Sequence, residues 1–143
     1  MSFALGMRIA VPSMLANRPG NLSSMHLLST EEQTMQMSDF PFGVTDWSAI
    51  VPTEHPGESG MARWRTCQFG TIRVRMVEYS PGYLADHWCR KGHILLCLEG
   101  ELLTELADGR RFMLTPGMSY QVSDEGEPHR SSTRSGARLF IVD

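Results

Sequence analysis

The sequence predicts an all-β fold, a single barrel or double-stranded jelly roll with an N-terminal extension. Three observations carry that expectation. Short apolar-alternating runs recur from residue 36 onward, with turn signals between them. No long stretch carries a helical period. Roughly nine such runs, closely spaced, suit two packed sheets or a closed barrel.

Taken in order, residues 1–36 read as a flexible leader or an over-long assigned start, with Met35 or Met37 as the alternative initiation points. The apolar stretch from Ile9 to Ala16 follows Arg8, but Pro12 and Ser13 split it and no small-residue cleavage site follows cleanly. A secretory signal is therefore disfavoured. Residues 37–61 carry Trp47 and Ile50 among Pro41, Pro52 and Pro56, and read as an arm lying across the folded body.

Residues 62–143 read as the barrel. Its expected strands are Arg63–Phe69, Thr71–Tyr79, Leu84–Trp88, His93–Leu98, Glu101–Leu106, Arg111–Leu114, Ser119–Val122, Pro128–Thr133 and Arg138–Val142. Ser80-Pro81-Gly82, Thr115-Pro116-Gly117 and Ser135-Gly136 supply reversals between them. Asp108-Gly109, between two alternating runs, is a two-residue hairpin signal.

Composition narrows the function classes. Of 143 residues, 41% are apolar, 20% charged and 8% aromatic, as in a globular chain. A domain this long buries roughly two thirds of its unfolded surface. The longest clean aliphatic run, Ile94–Leu98 interrupted only by Cys97, is far too short to span a bilayer. Thirteen basic residues face 16 acidic ones for a net charge of −3, and the arginines are scattered as spaced pairs rather than a block. That distribution argues against nucleic acid as a partner. Cys67, Cys89 and Cys97 cannot all pair with one another and form no C-x-x-C, so a reducing cytoplasm is expected.

Five histidines are unevenly placed. His26 falls in the leader and His55 in the Thr53–Gly60 loop, where a solvated side chain is the default. His87, His93 and His129 fall in the β-rich half with Cys89. If Leu84–Trp88 is a strand continuing to Cys89, His87 and Cys89 share a face. Gly92 allows a turn and His93 opens the next strand; His129 arrives from a distant one. A lone strand histidine is usually a satisfied polar residue and a lone cysteine a small core residue. Together, imidazoles and a thiolate suit zinc, iron, nickel or copper better than magnesium or calcium.

The stretch Pro81-Gly82-Tyr83-Leu84-Ala85-Asp86-His87-Trp88-Cys89-Arg90-Lys91-Gly92-His93, ending in Leu98-Glu99-Gly100-Glu101, resembles the first cupin motif. That motif runs from a glycine through His-x-His to a glutamate and a second glycine. Here Gly82 stands one residue closer to His87 than is usual; Cys89 occupies the second histidine slot and His93 the glutamate slot. Thr115-Pro116-Gly117 with Gly126-Glu127-Pro128-His129 resembles the second motif, one residue longer. The order Asp86-His87-Trp88-Cys89 is similar to a small cupin subgroup labelled for an Asp-His-Cys-Trp motif.

The resemblance implies a barrel holding one divalent metal on His87, Cys89, His93 and His129. Exchanging glutamate for His93 removes an oxygen donor, and exchanging histidine for Cys89 adds a soft one. Both changes favour zinc or iron over manganese, with nickel and copper also accommodated. It further implies a small-molecule ligand or substrate, a homodimer, and dioxygenase- or isomerase-like chemistry or, alternatively, a non-catalytic module for ligand or metal sensing. Tyr83 shares the parity of His87 and is the candidate for orienting a substrate, or else packs in the barrel wall with its hydroxyl at the rim. Arg73 and Arg75 share a face with Val77 and Tyr79; such a row is a solvated face, or, turned inward, a fork for an anionic substrate. Cys97 reads as core, and Trp88 as wall or interface.

Overall fold

The computed structural model describes residues 37–143. The leader reading, including Ile9–Ala16 and His26, lies outside the described residues. Nine strands form: β1 (Thr53–Pro56), β2 (Met61–Phe69), β3 (Ile72–Tyr79), β4 (His93–Gly100), β5 (Leu102–Leu106), β6 (Arg111–Leu114), β7 (Ser119–Val122), β8 (His129–Ser132) and β9 (Ala137–Val142). They make a six-stranded sheet, ordered β1-β2-β3-β9-β4-β7, and a three-stranded sheet, β6-β5-β8. The strand pairs are antiparallel. The expected jelly roll is the observed architecture.

Alternation decides which side chains go inside. Ala137, Leu139 and Ile141 of β9 are buried while the residues between them are half-buried. Val77, Leu95, Cys97, Leu102 and Leu139 lie at the centre with essentially no exposure. Cys97 thus takes the core role. Asp108-Gly109 closes the β5–β6 hairpin as expected, with Leu106 and Arg110 bonded across it.

Gly100 ends β4 in the left-handed region at φ +74°, and a Cβ there would collide with the Gly136 carbonyl at the start of β9. A side chain at this junction is excluded twice, by conformation and by space.

Two expectations are corrected. Leu84–Trp88 is not a strand. The chain bends at Asp86 and His87 and keeps only isolated bridges, at Leu84 to Ser59 and Ser132 and at Cys89 to His129. The exposed Asp86-His87-Trp88 step lifts the backbone off β8, so ladder bonds form only on either side of it. Conversely, Thr53–Pro56, read as part of a loop, is β1, the edge strand beside β2. An edge position tolerates Pro56, which has no N–H to donate. His55, expected in solvent, stacks on Trp64 with ring centroids 3.9 Å apart.

Ahead of β1, Asp46 caps a single 3₁₀ turn, Trp47–Ala49, by accepting from the Ser48 N–H at 3.0 Å. Trp47 packs edge-on against Phe140, and Arg65 Nε donates to the Ile50 carbonyl at 3.1 Å. These contacts lay the segment against the outer face of the large sheet. Among the described residues no helix is long and apolar enough to cross a membrane.

Candidate metal centre

Three donors meet inside the sandwich. His129 opens β8 and is only 2% exposed. Cys89 lies directly opposite it: Cys89 N–H donates to the His129 carbonyl at 2.8 Å, and His129 N–H returns a bond to the Cys89 carbonyl at 3.0 Å. A directly opposed antiparallel pair projects both side chains from one face. His93 opens β4, after Gly92 has donated to Asp124 Oδ1 at 2.7 Å. A Cβ at Gly92 would strike the Ser123–Asp124 backbone, so glycine is what lets the chain enter β4 there.

The ligand atoms of Cys89, His93 and His129 all lie within 4.8 Å of one another. The two Nε2 atoms are 3.2 Å apart. His129 Nδ1 is 2.9 Å from the Glu127 carbonyl, which can only accept, so Nδ1 carries the proton. In neutral His129, Nε2 therefore presents its lone pair toward His93. A backbone carbonyl that fixes the outer nitrogen of an imidazole is the usual support of a metal-bound histidine.

Electrostatics agree with that role. Burial, reinforced by His129 and Arg75, lowers the pKa of His93 to about 4, leaving a neutral imidazole at physiological pH. Interaction with His129 pulls the Cys89 thiol below its usual value, against the opposing effect of burial. Cys89 in turn raises His129. Two imidazoles and a thiol that ionises readily form an N₂S donor set suited to zinc or iron.

Around the donors lies a cavity of about 240 Å³ whose lining includes His87, Cys89, His93, Tyr120 and His129. His87 stays out of the close group: its side chain is 69% exposed and its Nδ1 lies 2.6 Å from Asp86 Oδ1. The bend leaves Cys89 in the close group and His87 at the rim of the same cavity. Tyr83 is buried and stacked on Tyr79 at 4.0 Å, where it forms part of the cavity wall. Trp88 lies outside, 39% exposed, beneath the Arg130 guanidinium.

Sequence reasoning missed Tyr120. Its hydroxyl is 2.9 Å from His93 Nε2, and burial raises its pKa, so the phenol keeps its proton. The register that places it there pairs His93 with Val122 and Leu95 with Tyr120, putting all four on one face. No local signal marks that pairing.

Arg73 and Arg75 do turn inward. Arg73 grips Asp143 with Nε to Oδ1 at 2.7 Å and NH2 to Oδ2 at 2.6 Å. Arg75 reaches the same Oδ2 at 2.7 Å. Continuing the β9–β4 register one step beyond Val142 and Ile94 sets Asp143 beside His93. One row across the large sheet therefore reads Arg73, Asp143, His93, Val122.

No family model matches the sequence, and no curated protein does. Solved structures do. Ectoine synthase from P. lautus superposes with a TM-score of 0.59 at 23% identity, covering 71% of this chain and 76% of that one. A predicted oxalate decarboxylase from Thermotoga maritima gives 0.60 at 17% identity, covering 70% and 96%. The polyketide cyclase RemF from Streptomyces resistomycificus gives 0.58 at 21%, covering 71% and 78%. The fold is that of the cupins. Against the cupin motif that the sequence resembles, Cys89 stands at the second histidine position and His93 at the glutamate position, and both lie in the close donor group.

Proposed function

We propose that this cupin holds a divalent transition metal, zinc or iron, on Cys89, His93 and His129, and acts on a small molecule entering the cavity beside it. The carrying observation is the convergence of two histidine Nε2 atoms, 3.2 Å apart, with Cys89 Sγ inside the same 4.8 Å group. Three protein donors leave a coordination position for a ligand. His87, at the rim, is the remaining donor candidate. The bound metal would supply Lewis acidity toward a substrate oxygen or, as iron, the capacity for dioxygen chemistry. The chain's own part is to orient: Glu127 fixes His129, Tyr120 packs beside the His93 ring, and Tyr83 and Tyr79 wall the cavity.

Likeness in fold to a synthase and a polyketide cyclase supports an enzyme, for which we propose an oxygenase- or isomerase-like activity. The second reading, a non-catalytic sensing or binding module, is favoured by one observation. Asp143, a carboxylate lining the cavity, is gripped by two arginines and is poorly placed to carry a proton. Membership of the Asp-His-Cys-Trp subgroup is supported by Asp86–Cys89 alone. A cytoplasmic homodimer completes the proposal, supported by three free cysteines and by Ile94, which points outward from β4 with 59% exposure.

Elemental analysis of untagged protein tests the centre, and dioxygen consumption by the iron-loaded form, screened against thiols, diketones and aromatic acids, tests the oxygenase version. About one metal per chain with substrate-dependent turnover supports the enzyme; metal without turnover supports the module. Metal content near zero after supplementation overturns the centre.

A further inference from the structure

We propose that the cavity receives a small carboxylic acid, its carboxylate held by Arg75 and Arg73 and its remainder directed toward Cys89, His93 and His129. This rests on the reading of the cavity as the small-molecule site, and it assigns the substrate class.

The charged side chains lining this side of the cavity are unbalanced. Arg73 alone satisfies Asp143 in fork-to-fork geometry. Arg75 adds a second guanidinium to the same carboxylate, so two cations share one anion. Lys91 also lines the cavity and makes no ion pair among the described residues. Arg130, at the other side, is matched by Glu105 and Glu58. Arg73, Arg75 and Lys91 thus face Asp143 alone. Among side chains, one positive charge remains even when Cys89 is ionised. The chain as a whole is negative at −3, so this concentration runs against the average.

Arg75 is the most deeply buried of these cations. It is only 7% exposed, its guanidinium lies 4.5 Å over the Trp64 ring, and its sole side-chain hydrogen bond among the described residues is to Asp143. Its buried Nε has no partner. Burial pulls its pKa below the ordinary guanidinium value despite Asp143. A buried cation with unspent donors is costly, and such groups call for a partner. A clasp joining β3 to β9 needs only Arg73. The second arginine, its Cζ 4.5 Å over the Trp64 ring and its side chain lining the cavity, brings a second set of in-plane N–H donors, the edge that matches a planar oxyanion.

Calorimetric titration of the full chain, metal-loaded and metal-stripped, with acetate, malonate and succinate tests this. The matched neutral amides and inorganic phosphate serve as comparison probes. At least one carboxylate is expected to bind, with its amide weaker by tenfold or more. Arg75→Gln should weaken carboxylate binding at least tenfold, and Arg138→Gln, on the outer face, should not. Arg75→Lys keeps a cation against Asp143 and Trp64 but loses the planar edge. A wild-type melting profile with binding weakened as in Arg75→Gln separates recognition from folding.

Carboxylate binding that depends on Arg75 in a protein taking up no metal would sustain this assignment while the metal centre fails. Amides binding as well as acids, no binding of any acid, or binding indifferent to Arg75 would overturn it, whatever the metal content. Phosphate binding more tightly than every carboxylate would overturn the carboxylate assignment.

Discussion

His93 Nε2 faces His129 Nε2 at 3.2 Å, although the two residues open strands in different sheets. Two imidazoles meeting nitrogen to nitrogen can share only one proton, and a cation between them satisfies both lone pairs. His93→Ala and His129→Ala should each reduce bound metal from about one equivalent to below about a tenth, while His87→Ala keeps most of it. Elemental analysis of the purified variants checks this, and loss on His87→Ala equal to that on His129→Ala would refute the three-donor assignment.

Cys89 is separable from the histidines. Cys89→Ser preserves the backbone pair with His129 but exchanges a thiolate for a poor donor. Metal affinity is expected to fall about 100-fold or more, and the cobalt-substituted protein to lose its sulfur-to-metal charge-transfer band. A band of unchanged intensity in the serine variant would remove Cys89 from the donor set.

Tyr120 and a metal compete for His93 Nε2. Tyr120→Phe removes one hydroxyl, 2.9 Å from Nε2, and leaves the ring in place. The lost hydrogen bond competes with a metal for the single lone pair of Nε2, so metal affinity should rise about threefold to tenfold, with little change in melting temperature. Competition with a chelator of known affinity measures it; equal affinity in the two proteins would show the hydroxyl to be idle.

Asp143 links pH to stability. Burial raises its pKa, but Arg73 and Arg75 outweigh burial and leave it below the usual carboxylate value. A depressed folded pKa contributes stability above the unfolded value near 3.9 that is lost as pH falls through the folded one. Asp143→Asn should therefore cost about 3 kcal/mol at pH 7, as for a broken buried pair, and progressively less below about pH 4. Urea unfolding across that range is the measurement, and a constant gap down to pH 3 would contradict the linkage.

Gly100→Ala should cost at least about 2 kcal/mol, because the left-handed backbone and the Gly136 carbonyl oppose the added methyl together. Chemical denaturation with unchanged midpoint would show that the β4–β9 junction adjusts freely.

Alternation and turn residues made most strands legible: Ser119–Val122 and Arg111–Leu114 stand where they were read, and most of the others shift by one or two residues. The failures have physical reasons. Pro52 and Pro56 mask β1, which an edge strand permits, and the bend at Asp86–His87 interrupts a run whose composition reads as extended. In the site, Cys89, His93 and His129 announce themselves by residue type. Tyr120 and Asp143 do not, because each reaches the cavity through a pairing of β7 or β9 with β4 that joins residues distant in sequence.

The position of β9 between β3 and β4 has a consequence for biosynthesis. A ribosome releases Arg73, Arg75 and His93 well before residues 137–143 emerge. Until then β3 and β4 present bare edges, and the two arginines have no Asp143 to grip. The cavity is thus completed last, by the strand that also closes the sheet. The nascent chain is open to mispairing along those edges up to that moment.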